Sequence, residues 1–360
     1  MASAATQSSS HRRSGNGGDL IVLGIESTAH TFGVGIVSSK EPYILADARR
    51  QYKPKSGGIL PREVAAFFSS VAGEVLAEAL AQAGLTVRDV DGIAVALGPG
   101  MGPALRVGAT VARALASRYR KPLVPVNHAV AHIEVARFVT GLRDPVAVYV
   151  AGGNTSILSY SEGRYRVFGE TLDIALGNLL DTFAREVGIA PPYVSGGKHA
   201  VDKCAEGGDY IDGLPYVVKG QDVSYSGLLT AALRMARSGA RLSDVCYTLR
   251  EIAFSSIVEV GERCMAHTGR DSVVLTGGVA ANKVLASKVA LMAESRGARH
   301  GTVPPRLAGD NGVMIALTGA LALAHGVTIG VEEAVIRQRW RVDRVDVPWY
   351  PATLKDLSSG

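Results

Sequence analysis

One pattern limits the fold of this chain more than any other, and it occurs twice. Leu20–Val37 joins an apolar strand, a small polar turn and a second strand laced with Gly33 and Gly35. Val146–Tyr160 repeats the design: an apolar run, the turn Gly152-Gly153-Asn154-Thr155-Ser156, then Ile157-Leu158-Ser159-Tyr160. Short apolar runs bounded by turn residues read as buried strands, so each unit reads as a hairpin with a small-residue tip. Two such units in two halves of the chain predict an internal duplication.

Between the hairpins, Val64–Ala83 is Ala-rich with helical spacing. Ile93–Leu97 is an apolar strand that runs into Gly98-Pro99-Gly100-Met101-Gly102-Pro103, and Leu105–Arg118 reads as the helix leaving that turn. Strand, glycine turn and helix is the grammar of an α/β fold. Helices are also expected at Ile174–Val187, Leu242–His267, Asn282–Arg296 and Val313–His325, with a strand at Ser272–Leu275 entering Thr276-Gly277-Gly278. A chain of 360 residues exceeds one ordinary core and fits two lobes with a cleft between them. Both hairpin tips, the Gly277-Gly278 turn and the start of the last helix are expected to face that cleft.

No apolar run reaches the roughly 18 to 20 residues that span a bilayer, and no membrane role is expected. Residues 1–18 are Ser, Ala and Gly with a His-Arg-Arg cluster, and read as a disordered extension rather than a secretory signal. Cys204, Cys246 and Cys264 are odd in number and form no Cys-x-x-Cys pair, which predicts no disulfide framework and no cysteine zinc site. That suits a reducing, cytoplasmic setting. A formal charge of +5 leaves nucleic-acid binding open without demanding it.

His128 and His132 stand four apart in an expected helix, so both imidazoles project from one face and can converge on a metal ion. A zincin needs Glu after the first histidine, and that position is Ala129. Glu134 lies off the shared face, so a carboxylate ligand must come from elsewhere. Asp310, in Gly309-Asp310-Asn311-Gly312, is a candidate, with helix capping as its ordinary alternative. The Gly152-Gly153 turn offers bare backbone N–H groups to phosphate oxygens, or is simply a hairpin connection. Asn282 opens a helix after Thr276-Gly277-Gly278 and can hydrogen-bond a nucleoside.

Taken together, these residues resemble a known family. From about Leu20 to Trp349 the chain is similar to the archaeal and eukaryotic branch of the universal tRNA threonylcarbamoyladenosine synthases, the catalytic subunit of KEOPS. The carriers are Gly24–Thr31, Gly98–Pro103, the His128/His132 helix, Tyr149–Thr155, Gly169–Asp173, Asp222–Leu228, Thr276–Lys283 and Asp310-Asn311-Gly312. The resemblance implies an actin-like (ASKHA, RNase H-like duplicated) α/β fold of two lobes. The N-terminal lobe is expected at 19–143, completed by about 314–345, the C-terminal lobe at 144–313 and a tail at 346–360.

The resemblance further implies that His128, His132, Tyr149 and Asp310 hold one divalent ion per subunit, iron first and zinc as the alternative. It implies that Tyr149, Val150, Ala151, Gly152 and Gly153 cradle the substrate, that Asp181, Gly197 and Asp202 line the nucleotide side, and that Asn282 holds adenine or ribose. The implied reaction moves the threonylcarbamoyl group of threonylcarbamoyl-AMP to the exocyclic amine of adenosine-37 in tRNAs that read ANN codons, releasing AMP. The implied partners are tRNA and KEOPS subunits, including a small kinase/ATPase. Arg106, Arg137 and Arg337–Arg341 are candidate phosphate contacts. The chain departs from the family pattern at Leu60, where His is usual, and at Phe67-Phe68, where a histidine pair is common. An actin-like small-molecule kinase or ATPase, and a non-catalytic tRNA-binding scaffold, are the competing readings.

Overall fold

A computed structural model describes residues 19–54, 59–189 and 198–358. The expected extension 1–18, Gly57-Gly58 and Gly197 lie outside these described residues. The first hairpin is β1 (Ile21–Glu26) and β2 (Thr31–Ser38), extended by the antiparallel β3 (Ile44–Gln51). On the other side of β1 lie β4 (Gly92–Gly98) and β5 (Leu123–Asn127), both parallel, so the sheet runs β3-β2-β1-β4-β5.

The second hairpin, β6 (Val146–Val150) and β7 (Thr155–Ser161), is likewise extended by the antiparallel β8 (Arg164–Glu170). A two-stranded ribbon of β9 (Val218–Lys219) and β10 (Asp222–Val223) forms a small sheet of its own, joined to the end of β8 by a bridge between Thr171 and Val223. The parallel β11 (Ser272–Thr276) and β12 (Arg299–Thr302) complete a sheet of order β8-β7-β6-β11-β12. The two sheets therefore share strand order and strand direction, the duplication expected from the two hairpins.

Helices α1 (Pro61–Ala83), α2 (Gly102–Tyr119) and α3 (His128–Thr140) accompany the first sheet in sequence. With the second come α4 (Leu176–Glu186), α5 (Ala200–Cys204), α6 (Ser226–Arg237), α7 (Leu242–Thr268) and α8 (Lys283–Ser295). Then follow α9 (Pro305–Ala308) and α10 (Gly312–Ala324). The buried apolar side chains form three layers. One holds α1 and α2 on the outer face of the first sheet, another the helices on the outer face of the second. The third is central: α10 packs on β1, β2 and β4, while α3 packs on α10 and on β11.

Helix α1 is long and apolar enough to cross a membrane by length and composition. Its Val64, Phe68, Ala72, Val75 and Ala79 form one stripe at helical spacing, buried against the sheet. Its Glu74 and Glu78 pair with Arg50 of β3 at 2.5 and 2.8 Å. Phe68 packs on Phe32, with ring centroids 5.5 Å apart, so that departure from the family pattern is a core residue.

The cysteine expectation is overturned. Cys204, at the end of α5, is bonded to Cys246 of α7, with Cα atoms 5.9 Å apart; Cys264 remains a free, buried thiol. The partners are 42 residues apart, and only the packing of α5 on α7 brings them together. Closing a loop of that length restricts the unfolded chain by about 4 kcal/mol in the chain-entropy account. Reduction, or Cys246→Ser, is expected to lower the free energy of unfolding by that order, read as a lower denaturant midpoint than that of the oxidised chain.

Candidate metal centre

Strand β5 leads directly into α3, and the junction is capped. Asn127 accepts from the backbone N–H groups of Ala129 and Val130 at 3.0 and 3.2 Å, which places His128 at the first helical position. One turn on, His132 projects from the same face, and the two ring centroids lie 4.7 Å apart. The third group comes from the turn between α9 and α10. There Asn311, not Asp310, is the N-cap: its Oδ1 accepts from Met314 N at 2.9 Å, and its Nδ2 donates to Gly309 O at 2.7 Å. With the capping role taken by its neighbour, Asp310 aims its carboxylate at the histidines.

Asp310 Oδ1 lies 3.5 Å from His128 Nε2 and 3.4 Å from His132 Nε2. One ligand atom from each of the three residues falls within 4.8 Å of the others, so His128, His132 and Asp310 are positioned to bind one metal ion. The donor set fits a divalent cation on a second ground. Both ring nitrogens of His132 are buried without a hydrogen-bond partner among the described residues, a state costly for a polar group unless a ligand fills it.

The electrostatics agree. Burial holds His132 below its ordinary pKa, against the pull of Asp310, and leaves the imidazole neutral with a lone pair to give. Burial also opposes protonation of His128, but the carboxylates of Glu26 and Asp310 override it and hold the group up at about 9. Asp310 is held well below the carboxylate range: its burial is outweighed by His128 and His132, with His30 adding to the effect.

Two residues of this site carried no role in the sequence reading. Glu26, fully buried at the end of β1, places Oε2 2.9 Å from His128 Nδ1 and accepts from Thr28 N and Oγ1 at 2.6 and 2.5 Å. A carboxylate on Nδ1 turns Nε2 toward the ligand position. On the other side, Thr276 Oγ1 donates to His132 O at 2.7 Å. The available signal was an acidic residue at the tip of an otherwise apolar strand.

Tyr149, near the end of β6, stacks obliquely on His132 with centroids 5.0 Å apart. Its phenol is pushed well above its usual pKa by burial, with Asp310 and Glu26 adding to the effect. Beyond it, Val150 is buried while Gly152 and Gly153 are exposed at the turn. Asp181 Oδ1 lies 3.0 Å from His199 Nε2. Asn282 caps α8 through Oδ1, accepting from Val284 N and Leu285 N, and its Nδ2 donates to Asp202 Oδ2 at 2.6 Å.

Arg137 is not a surface cation. It is fully buried on α3, bonded to Glu134 Oε2 at 2.7 Å and to Pro351 O at 2.6 Å, and lies over the Tyr350 ring. Tyr165 OH completes the cluster on Glu134 Oε1 at 2.6 Å. The C-terminal segment is thereby tied to α3, the helix that carries His128 and His132. Arg106 and Arg339 are exposed, whereas Arg341 is engaged by Asp343 and Glu170.

The profile of the TsaD family, tRNA N6-adenosine threonylcarbamoyltransferase, matches residues 44–317. A protein of that name from Aeropyrum pernix is 72% identical over 334 residues, which span 93% of this chain and 96% of the relative. Another, from Hyperthermus butylicus, is 62% identical over 334 residues, covering 92% of each. Among solved structures, HypF of T. kodakarensis is similar with a TM-score of 0.59 at 16% identity, over 86% of this chain and 47% of that one. The activator of the 2-hydroxyisocaproyl-CoA dehydratase from Clostridium difficile has a TM-score of 0.50 at 12% identity, over 85% of this chain and 97% of that one. These structures speak for the fold alone, and it is the expected two-sheet, actin-like ASKHA architecture. With a matched region spanning most of its length and near relatives of one name, the chain belongs to the TsaD family of tRNA N6-adenosine threonylcarbamoyltransferases.

Proposed function

We infer that this transferase moves a threonylcarbamoyl group from threonylcarbamoyl-AMP to the N6 amine of adenosine-37 in tRNAs reading ANN codons. The observation that carries this reading is the convergence of His128, His132 and Asp310, with Tyr149 of β6 stacked on His132 three residues before Gly152 of the open glycine turn. A bond forms between the carbamoyl carbon and N6, the bond to the AMP phosphate oxygen breaks, and the amine proton leaves. An aromatic amine is a weak nucleophile, so rate depends on activating the acyl carbon and aligning the two reactants.

His128, His132 and Asp310 would hold the ion, with Tyr149 as a fourth ligand; iron is the first choice for this mixed nitrogen and oxygen set and zinc the second. A bound divalent ion supplies Lewis-acid polarisation of a substrate oxygen. The chain's own groups do the rest. Glu26 fixes the ring of His128. A Cβ placed on Gly152 or Gly153 would meet no protein atom within 4 Å, and neither residue has a positive φ. Nothing among the described residues requires glycine there, which supports a turn kept bare for the close approach of a ligand. Asp181, Asp202 and Asn282 form the nucleotide side of the reading, and Gly197 belongs to it by resemblance only.

The remaining parts of the proposal concern setting. The enzyme works in the cytoplasm within a KEOPS-like assembly that includes a small kinase/ATPase. Its lobes divide between residues 143 and 144, and α10 with the segment to about 345 returns to the first lobe. The test is transfer of labelled threonine, from threonine, bicarbonate and ATP, onto tRNA in the presence of a threonylcarbamoyl-AMP-forming enzyme and the KEOPS partners. Label at N6 of adenosine-37 is expected. Unlabelled tRNA with every partner demonstrably active, and with metal bound to this chain, overturns the reading.

A further inference from the structure

Asp202 is buried, yet only one of its oxygens is used. Oδ2 accepts from Asn282 Nδ2 at 2.6 Å, while Oδ1 has no hydrogen-bond partner among the described residues. The nearest cation is Arg250 of α7, whose Nη1 stands 3.7 Å from Oδ1, close enough for charge and too far for a hydrogen bond. Arg250 Nε is also buried without a partner among the described residues.

The arrangement keeps the guanidinium back from the carboxylate. Arg250 Nη2 donates to Glu251 Oε1 at 3.2 Å, and Glu251 Oε2 is itself taken by Lys288 Nζ of α8 at 2.8 Å. The guanidinium also lies over the Tyr247 ring, 5.3 Å from its centroid. A covalent pin sets the spacing: Cys246, one turn before Arg250 on α7, is bonded to Cys204, two residues after Asp202. Helix α5 has five residues, so this bond and the Asn282 contact control where the carboxylate points.

A buried carboxylate oxygen left unpaired costs several kcal/mol unless it is charge-balanced and something donates to it. Arg250 provides the balance and, held by Glu251 and Tyr247, does not provide the donor. We infer that Arg250 is a positioning residue for the nucleotide side of the substrate: it keeps Asp202 ionised with Oδ1 free to accept a hydroxyl of the ribose. This rests on the proposed role of Asp202.

The charged and titratable groups around Asp202 are Arg250, His199 and Lys198, with Asn282 as its neutral partner. Burial pushes the Asp202 carboxyl up, and Arg250 is the largest of the effects that pull it down. Without Arg250 the carboxylate therefore protonates at a higher pH. The hydroxyl-accepting form is lost as pH falls, and lost sooner.

The experiment is AMP binding to the full oxidised chain by titration calorimetry between pH 4.5 and 8. The chains compared are wild type, Arg250→Met, Arg250→Lys, Asp202→Asn and the Arg250→Met/Asp202→Asn pair. Arg250→Met is expected to weaken AMP binding about tenfold at pH 7 and to move the acid fall-off upward by about one unit. Arg250→Lys is expected to return the fall-off toward the wild-type position. The double variant should bind no worse than Asp202→Asn alone, because Arg250 acts through Asp202. A wild-type pH profile and affinity in folded Arg250→Met overturns the inference; if that variant does not fold, a wild-type pH profile and affinity in folded Arg250→Gln, which also removes the charge, does so. Asp202→Asn binding AMP as tightly as wild type removes Asp202 from the substrate side, so the underlying reading fails first and takes the inference with it.

Discussion

His132→Ala is expected to leave a folded chain that retains no stoichiometric metal and loses at least about 100-fold in transfer to tRNA, a larger effect than the 10- to 100-fold seen for outer ligand partners. Both ring nitrogens of His132 lack a partner among the described residues, so the substitution breaks no side-chain hydrogen bond. What is lost internally is ring packing against His128 and Tyr149, a cavity cost of about 2–4 kcal/mol. The backbone tie from Thr276 Oγ1 to the His132 carbonyl survives. Metal content by elemental analysis, circular dichroism and label transfer, measured on one preparation, separate the outcomes. Full metal and full activity in the variant would remove His132 from the ligand set.

Gly312→Ala is expected to give no soluble folded protein. Gly312 opens α10, and a Cβ there would stand 2.1 Å from Gly35 N and 2.4 Å from the carbonyl carbon of Val34. These are backbone atoms of the interior strand β2, which cannot rotate away as a side-chain tip can. The opposite face is equally close: a Cβ on Gly35 would stand 2.3 Å from Val313 N, and one on Gly24 2.1 Å from Ala316 N. Helix and sheet can only separate, opening the central apolar layer and shifting Asp310, two residues before Gly312. The cost exceeds the ~1–3 kcal/mol of ordinary overpacking and consumes a large share of a typical 5–15 kcal/mol stability. Expression and thermal unfolding beside wild type check it; a folded variant with a wild-type midpoint would show that α10 has more freedom than this contact allows.

Much of the frame was legible because periodicity and turn residues act locally. Both hairpins, the long helices α1, α7 and α10, and the strand–glycine–helix passages follow from apolar runs and from the glycines between them. Strands β5 and β12 were not legible. The first carries Pro125 in a five-residue run, and the second is Arg-His-Gly-Thr, polar at an edge. Each is a strand because a parallel neighbour supplies the hydrogen bonds, which composition does not announce.

The division at the site follows the same physics. Spacing along one helix determined that His128 and His132 face the same way, since i and i+4 positions superpose on any α-helix. The two hairpins determined the duplicated α/β class, since alternation and turn chemistry are properties of neighbouring residues. Only the tertiary structure decided that Asp310, 178 positions after His132 in the numbering, supplies the carboxylate while Asn311 caps, that Glu26 orients His128, and that Arg137 is buried under the C-terminal segment. It alone paired Cys204 with Cys246. These are contacts between segments far apart in the chain, set by how α3 and α10 pack between two sheets and how α5 rests on α7, and no local pattern encodes the partner across such a distance.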